Sequence, residues 1–299
     1  MNKIKELLGI NKPLIQGAMG RITGGKFAAE SSNEGILGTI ASGGISCADL
    51  ESEINICRKN TDKPFAVNVI MNHPELDEVL RLVVSMDVPA VILGNGNAVK
   101  AIEKLKEECK VVIPISSSPE FARFYQRAGA DAIIAEGCES GGHIGKLTTM
   151  VLVPQICNAC DLPVVAAGGI ADNRQYKAAL ALGASGVQIG TALLVSEECP
   201  VHENYKKMIV KSKSSSSVVT GTALGDEVRV IQNDLTDAYF DFVKKGKVEK
   251  LEELLTGSYA RAVYEGEMER GSIMAGQVCG QLKKIRPLRE IIKDICDEE

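Results

Sequence analysis

Apolar residues in this chain come in short bursts. Eight runs recur over the first two thirds: Pro13 to Gln16, Ile36 to Ile40, Phe65 to Ile70, Ala90 to Leu93, Val111 to Ile115, Ala132 to Ala135, Val164 to Ala167 and Val187 to Ile189. Each is strand-sized, and most are apolar throughout rather than alternating, as expected of parallel strands covered on both faces by helices and core. Between them apolar positions fall three and four apart, as in Leu76, Val79, Leu80, Val83 and in Val99, Ile102, Leu105, which predicts amphipathic helices. Eight βα units in succession predict an α/β fold, a (β/α)8 TIM barrel. An open doubly wound sheet is the rival, but its dinucleotide fingerprint is missing. Gly94-Asn95-Gly96-Asn97-Ala98-Val99 lacks the third glycine and follows the fourth strand rather than the first.

After Thr191 the pattern changes. Lys211 to Ser217 is polar and serine-rich, which predicts a mobile loop or a boundary. Beyond it, Asn233 to Glu265 reads mainly as helices and Ile285 to Ile295 as a last amphipathic helix. The predicted division is a barrel over residues 1–205 and a smaller, mainly helical lobe over 206–299 that covers the barrel mouth, its terminal helix expected to return to the barrel.

Composition then removes several functions. With 34 Lys and Arg against 39 Asp and Glu the net charge is −5, and aromatics are 4% of the 299 residues, so the basic footprint and stacking residues of a nucleic-acid binder are absent. No apolar run approaches the roughly 20 residues of a membrane helix. Nine scattered cysteines and an N-terminus without a signal-peptide apolar core predict a reducing cytoplasm. Cys157-Asn158-Ala159-Cys160 has no second pair to complete a zinc site, so structural thiols and no metal site are expected.

In such a barrel the chemistry sits just after the strands. The seventh run leads into Gly168-Gly169 and the eighth into Gly190-Thr191, glycines that let backbone N–H groups approach a phosphate. The first run ends Gly17-Ala18-Met19, small residues against which a flat ring can lie, and Asn68 in the third carries an amide that can read ring carbonyls and nitrogens. The sixth leads to His143, held between Gly141-Gly142 and Gly145, a setting that marks it as functional; His73 and His202 read as structural or solvent-facing.

From Glu136 through Gly141-Gly142-His143-Ile144-Gly145-Lys146 to Met150, the chain resembles the FMN-dependent enoyl-acyl-carrier-protein reductases of the FabK type, within the nitronate monooxygenase superfamily. Gln16 to Met19, Lys63 to Asn68, Ala166 to Ile170 and Val187 to Thr191 extend the resemblance over nearly the whole chain. These stretches are common to the reductases and the nitronate monooxygenases and leave the reaction open. Val228 to Thr236, Gly271 to Gln277 and the last helix look more like the reductase. One departure is Gly17-Ala18-Met19-Gly20-Arg21, where the reductases carry Gly-Gly-Met and soon after it a large aromatic residue; this chain has no tryptophan.

The resemblance implies FMN as cofactor, NADH or NADPH as co-substrate, and reduction of trans-2-enoyl-acyl-carrier-protein, the last step of the fatty-acid elongation cycle. It implies His143 as the catalytic residue and Gly17, Ala18, Met19, Asn68, Glu136, Gly141, Gly142, Gly168, Gly169, Gln188, Gly190 and Thr191 around the cofactor, with Met274 and Gln277 closing over the ring from the lobe. It also implies a homodimer and an acidic acyl carrier protein as partner, for which Lys206-Lys207 with Lys211 and Lys213, or Lys283-Lys284 with Arg286, are candidate docks. The alternatives are oxygen-dependent oxidation of alkyl nitronates and a non-catalytic barrel scaffold, against which the glycine-flanked His143 argues.

Overall fold

The computed structural model describes residues 2–108 and 110–296. Eight strands form where the apolar runs lie: β1 (Leu14–Gln16), β2 (Gly38–Ala41), β3 (Phe65–Ile70), β4 (Ala90–Gly94), β5 (Val111–Ser116), β6 (Ile133–Glu136), β8 (Val164–Ala167) and β9 (Gly186–Ile189). They pair in parallel in the order β1-β9-β8-β6-β5-β4-β3-β2. The ends meet as well. Leu37 N–H donates to Leu14 O at 3.0 Å and Gln16 N–H to Leu37 O at 2.9 Å, which closes the sheet into a TIM barrel.

The strands are apolar on both faces because each face meets a different core. Ile15, Ala66, Ile92, Ile134 and Val165 point inward, joined from below by Ile4 and Leu8 of the N-terminal helix Lys3–Leu8. Their neighbours Leu14, Val67, Leu93, Ile133 and Val164 point outward against the surrounding helices. This alternation packs the barrel interior and leaves its upper end to the loops.

The remaining strands belong to a second sheet that apolar patterning did not predict. β7 (Gly142–His143) lies in the histidine loop, and β10 (Ser217–Thr220) and β11 (Val228–Ile231) form an antiparallel hairpin. β11 also pairs antiparallel with β7, Val228 opposite His143 and Arg229 opposite Gly142. Helices Asp234–Lys244 and Leu251–Leu255 make up much of the rest of the lobe. The serine-rich stretch is wound into a turn in which Lys213 N–H donates to Ser216 Oγ at 2.9 Å and Ser216 N–H to Lys213 O at 3.1 Å.

Position 205, where the sequence divided the chain, falls inside the helix Glu203–Lys211. The terminal helix starts at Leu288, after Pro287, and runs to Cys296. It packs on the barrel helix Asn173–Ala181, where Asn173 Nδ2 donates to Ile295 O at 3.0 Å. No helix among the described residues is long and apolar enough to cross a membrane.

Candidate active site

A cavity of about 670 Å3 opens at the C-terminal ends of the barrel strands, within the size range of small-molecule sites. One wall is largely glycine. Gly168 and Gly169 have φ of +93° and +75°, and a Cβ on Gly168 would sit 2.7 Å from Gly137 O. Any other residue there is strained. Gly17 N–H donates to Ile189 O at 2.7 Å, which draws the first loop against the last, and a Cβ on Gly17 would lie 3.1 Å from the same oxygen. The expected helix start after Gly168-Gly169 is present: Asp172 caps Asn173–Ala181 in a reciprocal box with Gln175. Asn68 and Gln188 are both buried and line the cavity.

The opposite wall is assembled from the lobe. Pairing of β7 with β11 sets the position of His143, whose Nε2 lies 3.3 Å from Asp226 Oδ1 while the ring stays half exposed in the cavity. Arg229, 7% exposed, donates from Nε to Cys138 O at 2.9 Å and from Nη1 to Ser217 Oγ at 3.0 Å. At the base of the loop, Thr149 N–H donates to the two oxygens of Glu139 at 3.0 and 2.9 Å, placing a carboxylate on the N-terminus of the helix Thr149–Ala159.

Three more contacts hold the lobe down. Gly276 N–H donates to Thr191 Oγ1 at 2.8 Å, Tyr205 O–H to Met274 O at 2.8 Å, and Tyr259 O–H to Gly20 O at 2.7 Å. Burial pushes both tyrosines above their ordinary range, so the phenols stay protonated donors. A Cβ on Gly141 would lie 2.7 Å from Ala275 Cα, so glycine is needed for this close approach.

Glu136, at the end of β6, faces the cavity. Burial pushes its carboxyl up to about 7, the Ser140 hydroxyl pulling weakly the other way. Its charge therefore changes near neutral pH.

The cavity wall brings together His143, Gly17, Ala18, Met19, Asn68, Glu136, Gly141, Gly142, Gly168, Gly169, Gln188, Gly190, Thr191 and Met274. Gln277 is not among them: its side chain is exposed, its N–H donates to Glu139 O at 2.9 Å, and Val278 takes the place on the wall. Sequence reasoning missed Glu139, from the histidine loop itself, and Tyr259, both on the cavity wall, and Asp226 and Arg229, which the lobe brings against that loop. It also left Asn72 and Asn95 unremarked as wall residues; Asn95 Nδ2 donates to Asn72 Oδ1 at 3.0 Å on the cavity rim.

The other candidates settle elsewhere. His73 is buried, with Nδ1 accepting from Glu75 N–H at 3.0 Å, and His202 caps the helix Glu203–Lys211 by accepting from Asn204 N–H at 3.1 Å. Cys157 and Cys160 sit beside Asn2 and Lys3 below the barrel, burial raising both thiols. Among the described residues no group of three or more His, Cys, Asp or Glu could hold a metal ion.

A closed parallel barrel with a lobe-roofed cavity at its mouth defines a (β/α)8-barrel enzyme. The sequence profile of the nitronate monooxygenase family matches residues 2–80 and 76–298, and the chain belongs to that family of oxidoreductases. FabK from Thermotoga maritima superposes with a TM-score of 0.96 at 44% identity, over 99% of this chain and 94% of that one. A probable nitronate monooxygenase of Staphylococcus saprophyticus is 35% identical over 279 residues, covering 78% of this chain and 79% of the relative. A (3aS,4S,5R,7aS)-5-hydroxy-7a-methyl-1-oxo-octahydro-1H-indene-4-carboxyl-CoA dehydrogenase of Rhodococcus jostii is 35% identical over 235 residues, 79% of this chain and 67% of the relative.

Proposed function

We propose that the protein is an FMN-dependent enoyl-acyl-carrier-protein reductase that spends NADH or NADPH to saturate a trans-2-enoyl thioester. The observation that carries this reading is the degree of the likeness to FabK, 44% identity at a TM-score of 0.96, held through the barrel and through the lobe that pins His143 and supplies Met274 and Tyr259 to the cavity. The Rhodococcus relative, named as a carboxyl-CoA dehydrogenase, adds support for a thioester-bearing substrate.

The wall suits FMN. Gly168, Gly169, Gly190 and Thr191 would take the phosphate, the first two at positive φ that glycine alone adopts without strain, and Gly17, Ala18, Met19, Asn68 and Gln188 would line the ring. Bound there, FMN supplies the two-electron chemistry that moves hydride from the nicotinamide to the enoyl β-carbon. His143 hydrogen-bonds the thioester oxygen as charge develops on it, or gives the α-carbon its proton. Asp226 orients the ring through Nε2, and the roof from Met274 to Val278 keeps water off the reacting atoms.

Oxidation of alkyl nitronates is the second reading, favoured by the Staphylococcus relative. Anaerobic NADH separates the two. The reductase bleaches rapidly and recolours when crotonyl thioester is added; slow bleaching by NADH with fast bleaching by an alkyl nitronate assigns the monooxygenase.

A further inference from the structure

Of the two cationic clusters that the sequence offered as docks, Lys206, Lys283 and Arg286 are engaged, whereas Lys207, Lys211, Lys213 and Lys284 are exposed, and none of the seven lines the cavity. Lys206 is 3% exposed with Nζ donating to Glu197 O at 3.2 Å, Lys283 Nζ donates to Ser212 O at 2.8 Å, and Arg286 pairs with Asp294. A different face adjoins the cavity. The helices Pro119–Arg127 and Thr149–Ala159, which follow β5 and β6, pack on each other and begin at the cavity mouth. Their outer surface exposes Phe121 (42%), Phe124 (50%), Met150 (64%) and Val151 (43%), an apolar cluster of the kind that marks an interaction site. Phe121 also lines the cavity and stacks on Tyr125 with ring centroids 5.9 Å apart, so the patch is continuous with the active-site entrance.

The charge around this patch runs against the chain average. Arg123 and Arg127, one helical turn apart, flank Phe124, and both are exposed and in no ion pair among the described residues. Lys146 is exposed in the segment where Gly145 is packed so tightly against Ser117 that a Cβ would lie 2.5 Å from Ser117 Cβ. Against these three cations the first helix carries Glu120, and the second carries no charged residue. A protein of net charge −5 thus presents a cationic, apolar face at its active-site mouth. A second copy is a poor occupant, because an isologous contact sets the same cations against themselves. An acidic partner is favoured on charge.

We infer that this helix pair is the docking face for the acidic carrier protein that delivers the enoyl thioester. Arg123, Arg127 and Lys146 meet its carboxylates, Phe124, Met150 and Val151 its apolar contact, and the tethered chain enters past Phe121. This rests on the thioester reading above.

The test compares Arg123→Glu/Arg127→Glu and Phe124→Ser with the wild type on crotonyl-acyl-carrier-protein and on crotonyl-CoA, with NADH bleaching as a third readout. The expected result is a loss of kcat/KM of about tenfold or more on the carrier-bound substrate, chiefly in KM, with crotonyl-CoA turnover and bleaching unchanged. Unchanged carrier kinetics, or equal losses on both substrates, overturns the dock. A dimer that the charge reversal converts to monomer gives the face to a second copy and overturns it too. A wild type inert on both thioesters retires the thioester reading, and the dock with it.

Discussion

The two halves of the site are built in different ways. The glycine side is local: Gly168-Gly169 and Gly190-Thr191 directly follow β8 and β9, and positive φ at the glycine pair comes from the residues themselves. The histidine side is assembled at a distance. His143 sits on a two-residue strand whose partner, β11, lies more than 80 residues on, and Arg229 from that strand reaches back to Cys138. The first arrangement forms wherever the barrel folds; the second couples the position of His143 to the docking of the lobe.

The contrast can be broken from either side. Gly168→Ala, forced into φ of +93° with its Cβ 2.7 Å from Gly137 O, should cost about 2–3 kcal/mol of local strain and clash. The expected outcome is protein purified with little or no flavin and, by titration, an affinity weakened by about thirtyfold or more. Arg229→Gln should act on the other half. Losing the guanidinium from Cys138 O and Ser217 Oγ loosens the histidine loop, lowering kcat/KM for the thioester about tenfold while flavin content stays at the wild-type level.

Glu136 sharpens the comparison most finely, since it stands between the halves. Its carboxyl is raised to about 7 from 4.5, so between those values the folded state holds a proton that the unfolded chain has released. Stability of the cofactor-free protein therefore falls as pH rises through this window, by roughly 2 kcal/mol once partial exposure is allowed for. Urea midpoints measured from pH 4.5 to 7.5 should show that decline in the wild type and a flatter profile in Glu136→Gln.

How much of this was legible in the sequence follows from the same contrast. The eight barrel strands were visible because burial on both faces leaves nearly continuous apolar runs. The glycine loops were visible because their position after a strand carries the meaning. β7 was hidden because two residues beside glycine leave no periodicity. β10 and β11 were hidden behind the serine-rich stretch, although Val218-Val219 and Val228 to Ile231 flank Gly221 and Gly225, both at positive φ, which is a hairpin signal. Tyr259 on Gly20 and Gly276 on Thr191 join positions 239 and 85 residues apart, and no local pattern announces such pairs. Gln277 lies off the cavity wall because the short helical turn Gln277–Gln281 leaves it exposed and places Val278 on the wall.

The central claim is that the lobe-pinned histidine serves the thioester while the glycine loops serve the cofactor, and the two half-reactions of His143→Ala test it most directly. Anaerobic stopped-flow should find flavin bound as in the wild type and bleached by NADH at the wild-type rate, with recolouring by crotonyl thioester slowed about a hundredfold or more. Recolouring at the wild-type rate, or equal slowing of both half-reactions, would contradict it.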